Sequence, residues 1–119
     1  MPRYVDGFVV PVPKKNMAAY TRMAKAASKV WKEHGALAYR ECVGDDMKIK
    51  GMTPFASLFK VKPGETIVFS YIVYRSKAHR DQVNKLIMKD PRILKMMKLP
   101  PPFDFKRMGY AGFKTIVEA

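Results

Sequence analysis

The stretch Thr66-Ile67-Val68-Phe69-Ser70-Tyr71-Ile72-Val73-Tyr74 decides the fold. Its β-branched and aromatic residues favour an extended chain. Apolar side chains occupy both alternating sets, so both faces of this strand need cover. The run is strand-length, far short of the ~20 apolar residues a membrane helix requires. Everything outward from it bears on what provides that cover.

Upstream, Pro63-Gly64 is a strong turn signal. Before it, Phe55 to Val61 alternates, with Phe55, Ser57, Phe59 and Val61 on one parity, and predicts a further strand. Met47 to Thr53 reads as a polar, basic loop after the turn Gly44-Asp45-Asp46. Ala36 to Val43 predicts a strand. Met17, Tyr20, Met23, Ala27, Val30 and Trp31 recur at helical spacing, predicting a helix from Lys14 or Asn16 to His34, with Gly35 as its C′ residue. Arg3 to Val12 predicts the first strand, again apolar on both parities and ended by Pro11 and Pro13.

Downstream, Ser76 is an N-cap for a second helix whose apolar face holds Val83, Leu86 and Ile87. Asp90-Pro91 restarts the helix, which runs to about Lys98. Leu99-Pro100-Pro101-Pro102 is a stiff extended connector. Phe105 to Val117 predicts the last strand, where Gly109 and Gly112 suggest a bulge or a close approach. The class is α+β: a ferredoxin-like βαββ(β)αβ sandwich, with an antiparallel sheet and helices on one face. The bare second face exceeds what a soluble monomer tolerates, so the pattern predicts a homodimer closed through it as a dimeric α/β barrel. In that sheet the first strand is expected to be central and the last to lie at an edge beside the second.

A length of 119 residues predicts one domain spanning residues 1–119, able to bury about two-thirds of its unfolded surface. The single cysteine, Cys42, excludes an internal disulfide framework and suits a reducing compartment. Asp6 and Gly7 interrupt the apolar run a signal peptide would need, so the expected location is the cytoplasm, away from membranes. The formal net charge is +13, with 23 Lys and Arg against 10 Asp and Glu. Such a field attracts polyanions. Arg22, Lys25, Lys29 and Lys32 form one helical row, and Lys85 and Lys89 lie on the second helix. These six are the candidate contacts for sequence-independent nucleic-acid binding, the alternative to a small-molecule site.

Several multi-residue motifs span nearly the whole chain. They include Tyr4-Val5-Asp6-Gly7-Phe8-Val9, Gly35-Ala36-Leu37, Glu41-Cys42, Val68-Phe69-Ser70-Tyr71-Ile72, Met88-Lys89-Asp90-Pro91-Arg92, Pro102-Phe103-Asp104 and Tyr110-Ala111-Gly112-Phe113. In these the chain resembles the YbaA-like bacterial family of unknown function. The resemblance implies a ferredoxin-like fold of the dimeric α/β-barrel type and carries no reaction or catalytic residues. Arg75 stands where that family often has proline, Ala111 where it often has glycine, and the strong basic charge is also a departure.

The candidate pocket residues are Asp6, Glu41, Tyr71, Asp104 and Arg107, placed between the sheet and the partner copy. Asp6 lies in an apolar strand and needs a partner, with Arg107 or Lys106 the expected ones. Glu41 and Cys42 adjoin and so point to opposite faces. In so basic a chain Glu41 is expected to pair with Lys or Arg, and Cys42 to be buried packing. Asp104 and Arg107 sit among aromatic residues after the prolines, as a rim that could hold an anion. His34 ends the first helix, and His79 is expected to be exposed. The sequence has no metal-ligand spacing, P-loop, dinucleotide fingerprint or nucleophile elbow, so neither a metal nor another cofactor is expected. The function expected is that of a homodimer with a small-molecule pocket. Fold analogy suggests cofactor-free oxygenase or isomerase chemistry, or ligand sensing. A non-enzymatic interaction protein is the remaining alternative.

Overall fold

A computed structural model describes residues 2–119. The elements are β1 (Tyr4–Pro13), α1 (Met17–Glu33), β2 (Ala38–Val43), α2 (Phe55–Leu58), β3 (Glu65–Tyr74), α3 (Lys77–Ile87), α4 (Pro91–Met97) and β4 (Gly109–Lys114). Short 3-10 turns precede α1 (Lys14–Asn16) and β4 (Phe105–Arg107). The four strands form one antiparallel sheet in the order β2-β3-β1-β4. The last strand therefore lies beside the first, not beside the second, which occupies the opposite edge.

Register divides the side chains between two faces. Tyr4 opposes Tyr74, Asp6 opposes Ile72, Phe8 opposes Ser70 and Val10 opposes Val68. These residues face the helices. Val10, Val12, Tyr20, Ala24, Val68 and Phe103 form one buried cluster, and Val30, Ile72, Tyr74, Val83 and Ile87 belong to another. Ala24 and Ala27 of α1 are both buried, and of the two the sequence stripe anticipates Ala27. Full burial of side chains such as Val12 or Ile87 stabilises by about 1.5–3 kcal/mol each. Two caps match the sequence reading: Ser76 accepts from the His79 amide at 3.1 Å, and Asp90 accepts from the Arg92 amide at 2.9 Å. Gly35 adopts φ 114°, the left-handed conformation its place after α1 demands.

The opposite set, including Val5, Val9, Phe69, Tyr71, Val73 and Phe113, points away from α1 and α3. Phe69 and Phe113 are exposed there. One end of this face has a cover of its own. Ile67 and Pro11 lie on it yet are buried. A side chain placed at Gly44 would meet Met47 and Ile67, and one at Gly109 would meet Phe59. The segment between β2 and β3 thus folds over that end.

Three sequence expectations need correction. Phe55 to Val61 is not a strand. Phe55–Leu58 is a helical turn, because Phe55 and Phe59 pack their rings together at 5.8 Å along an i, i+4 step. Pro11 does not end β1. The β4 ladder stops with Gly109 opposite Val9, so Pro11 lies past it, where β1 has a free edge and loses no bond to β4. The last strand begins at Gly109 rather than Phe105, because Asp104 caps a 3-10 turn through the Lys106 amide.

Candidate ligand cleft

Tyr39 and Glu41 lie two apart on β2, opposite Ile72 and Ser70, and both point to the helical face. Tyr20 comes down from α1. Its hydroxyl donates to one oxygen of Glu41 at 2.7 Å, and the Tyr39 hydroxyl donates to the other at 2.7 Å. Burial, then the Glu41 charge, makes both phenols far weaker acids than usual, so they stay protonated donors.

This trio forms part of the wall of a cleft of about 750 Å³ between α1, α4, the proline connector and the sheet. Ligand sites commonly span ~300–1,000 Å³. Phe8, Trp31, Met23, Met96, Phe103 and Met108 supply much of its surface. A smaller cleft of about 310 Å³ shares Tyr20, Ala24, Tyr39 and Glu41 with it and extends toward Cys42 and Val43. The hydrogen-bonded trio therefore borders both spaces.

Of the five predicted pocket residues, only Glu41 lies in these clefts. Among the described residues it has no Lys or Arg partner of the kind expected; two tyrosines take that place. Asp6 is buried under the helices, and its partner is Arg80 rather than Arg107 or Lys106. Arg80 donates to it at 2.7 Å and to the Tyr110 hydroxyl at 2.8 Å. Burial raises the Asp6 pKa despite the opposing pull of that guanidinium. Tyr71 lies on the open sheet face, 5.9 Å from the Arg40 guanidinium. Asp104 is exposed. Arg107 forks onto Glu65 and donates to the Lys60 carbonyl at 3.0 Å, so its donors already serve the chain's own groups.

Other residues also differ from expectation. Cys42 is exposed on the open face instead of buried. His79 is buried, with Nδ1 accepting from the Arg75 amide at 3.0 Å. His34 contacts Asp90 at 2.8 Å, tying the end of α1 to the start of α4. Arg22, Lys25, Lys29, Lys32, Lys85 and Lys89 are all exposed. Among the described residues, no three His, Cys, Asp or Glu side chains come together to hold a metal. No helix there is long and apolar enough to cross a membrane. Sequence reasoning missed Tyr20 and Tyr39. The i, i+2 spacing of Tyr39 and Glu41 was the available signal; nothing local marked Tyr20.

The fold is that of a ferredoxin-like α+β protein, with an apolar cleft between its helices and its sheet. The chain belongs to the family described as protein of unknown function (DUF1428), whose pattern matches residues 3–105. It is 44% identical over 116 residues to the uncharacterized protein YbaA of Escherichia coli K12, covering 98% of each chain. The Shigella flexneri protein of that name matches equally. Among solved structures it resembles a dimeric ferredoxin-like protein from an uncultured marine organism. That likeness covers 100% of both chains at a TM-score of 0.59 and 11% identity, and shows the fold.

Proposed function

We propose that this chain is a cytoplasmic homodimer that binds a small, largely apolar molecule in the cleft beneath α1 and α4. Two copies meet through their open sheet faces. One observation supports this reading above the rest: the chain exposes more surface than a folded monomer of its mass usually does. Its accessible area is 8466 Å², whereas a folded monomer of 13.6 kDa exposes about 6,600 Å². The excess, roughly 1,900 Å², is more than the ~800 Å² each partner contributes to a standard interface. The bare sheet face and the cleft are both present to account for it.

The dimeric state of the marine ferredoxin-like neighbour supports the pairing. The single exposed thiol suits a reducing compartment. Fold analogy extends the reading to cofactor-free oxygenase or isomerase chemistry, or to ligand sensing.

Sedimentation analysis tests the dimer. The wild-type chain should run at twice 13.6 kDa, and Phe69→Glu combined with Phe113→Glu should return it to monomer. A wild type that stays monomeric at every accessible concentration refutes the pairing. The cleft is tested separately by a ligand screen read through Trp31, the one tryptophan in the chain. A second reading rests on six exposed cations, Arg22, Lys25, Lys29 and Lys32 on α1, Lys85 on α3, and Lys89, which lies in the turn after α3 rather than on the helix: a sequence-blind polyanion surface, whose signature is steep salt dependence.

A further inference from the structure

We propose that the cleft selects an organic cation: a protonated amine carried on an aromatic or branched hydrocarbon body, with its nitrogen at Glu41. This rests on the reading of the cleft as a ligand site and adds the chemical class of the ligand.

The argument begins with the acids. The chain has 10 Asp and Glu against 23 Lys and Arg, so each acid has ample choice of partner. Asp6, Glu33, Glu65, Asp81, Asp90 and Glu118 all have a cationic partner within 4 Å. Asp45, Asp46 and Asp104 have none among the described residues but are exposed to water. Glu41 is different. It is partly buried, and no cationic side chain among the described residues lies within ion-pair distance of it. A half-buried carboxylate without a counter-ion gives up part of its hydration with no opposite charge in return.

The surroundings favour a cation from outside. Among the described residues, Glu41 is the sole acidic or basic side chain in the walls of the larger cleft; Lys25 lines only the smaller one. Tyr20 and Tyr39 each donate to one carboxylate oxygen and hold the group still. A carboxylate can accept about four hydrogen bonds, so acceptor capacity remains for a third donor. The remaining wall is π-rich and polarizable. Trp31 and Tyr39 lie with ring centroids 6.0 Å apart, and Tyr20 and Phe103 meet edge-on at 5.8 Å. Aromatic faces attract cations, and methionine sulfur packs well against such ligands. An anion drawn in by the net positive charge would face Glu41 instead. Local chemistry thus opposes the sign of the bulk field.

A matched set of probes separates this inference from the reading beneath it: 3-phenylpropylamine, 3-phenylpropan-1-ol and 3-phenylpropanoate, titrated against Trp31 fluorescence at neutral pH. The amine should bind at least about tenfold more tightly than the alcohol, one charge–charge contact's worth of discrimination, and the carboxylate most weakly. Glu41→Gln should erase the amine's advantage and leave the alcohol's affinity in place. If alcohol or carboxylate binds wild type as tightly as the amine, the cation assignment fails while the cleft stands. An amine preference that persists in a folded Glu41→Gln protein overturns it too. If none of the three binds, the cleft reading itself falls and this inference with it. The wild-type series decides the matter alone should the variant fail to fold.

Discussion

Arg80 on α3 donates to Asp6 on β1 at 2.7 Å, with its guanidinium 4.9 Å from the centre of the Tyr4 ring. Both side chains are largely buried. The pair ties α3 to the central strand β1. Arg80→Ala should cost about 3–5 kcal/mol, because it leaves a buried carboxylate uncompensated. Replacing both partners, as Asp6→Asn with Arg80→Met, should cost less than Arg80→Ala alone. Urea titrations of wild type, Arg80→Ala, Asp6→Asn, Arg80→Met and the double variant provide the test. Strictly additive losses would show that the two residues act independently.

Gly112 packs against Tyr4 across the β1–β4 ladder. A Cβ at this position would run into the Tyr4 hydroxyl and ring. Gly112→Ala should therefore destabilise by about 1–3 kcal/mol through overpacking. In the Tyr4→Phe background, which removes the hydroxyl, the same substitution should cost less. A thermal melt of each variant measures both effects. An equal penalty with and without the hydroxyl would place the strain on the ring instead of the hydroxyl.

What the sequence revealed of this fold was mostly what short-range chemistry controls. Ser76 and Asp90 announce helix starts because a cap bonds within its own turn. Thr66 to Tyr74 announces a buried strand because its composition is β-rich throughout. Phe55 to Val61 misleads for a physical reason: seven residues fit both a two-residue and a four-residue repeat, and the Phe55–Phe59 contact satisfies the second. The partners of Asp6 and Glu41 were not legible. Arg80 and Tyr20 lie 74 and 21 residues away in the chain, and only the completed sheet and helices bring them in. Composition pointed Glu41 toward a cation, yet its burial against α1 gave it two phenols.

Acid should destabilise the fold in two steps. His79 is buried and its pKa lies below 6.5, chiefly through desolvation. The unfolded chain takes up this proton first as pH falls, so the stabilisation is present above 6.5 and is lost below it. Glu65 is lowered from 4.5 to about 2, chiefly by the hydrogen bonds from Arg107. Its contribution is present above 4.5 and is lost as pH falls toward 2. Glu65→Gln should lower the melting temperature at pH 7 and flatten its decline between pH 4.5 and 2. A variant that loses stability as steeply as wild type in that window would acquit the Glu65–Arg107 pair of this role.

The basic helix faces make a separate prediction. If Lys25, Lys29 and Lys32 contact phosphates, duplex affinity should fall steeply with salt. Replacing all three with glutamine should reduce the slope of log K against log salt by about 0.9 for each contact removed. Fluorescence anisotropy of a labelled duplex measures it. No binding at low salt, or an unchanged slope, removes the polyanion reading and leaves the charge as a solvated surface.

Cys42 offers a direct probe of the open sheet face. It pairs across the ladder with Phe69, on the side away from α1, and is exposed in the single chain. Thiol reactivity follows access. Association through this face should therefore slow labelling by a thiol reagent as protein concentration rises, and dilution should restore it. Phe69→Glu should keep labelling fast at all concentrations, because a charge at the seam disfavours pairing while leaving the helical core untouched. Local unfolding would also expose the thiol, but it does not depend on concentration, so the dilution series separates the two causes. A wild-type rate independent of concentration, with a dimer seen by sedimentation, would move the interface off Cys42 and toward the β1 and β4 half of the sheet, where Val5, Val9 and Phe113 form the remaining apolar surface.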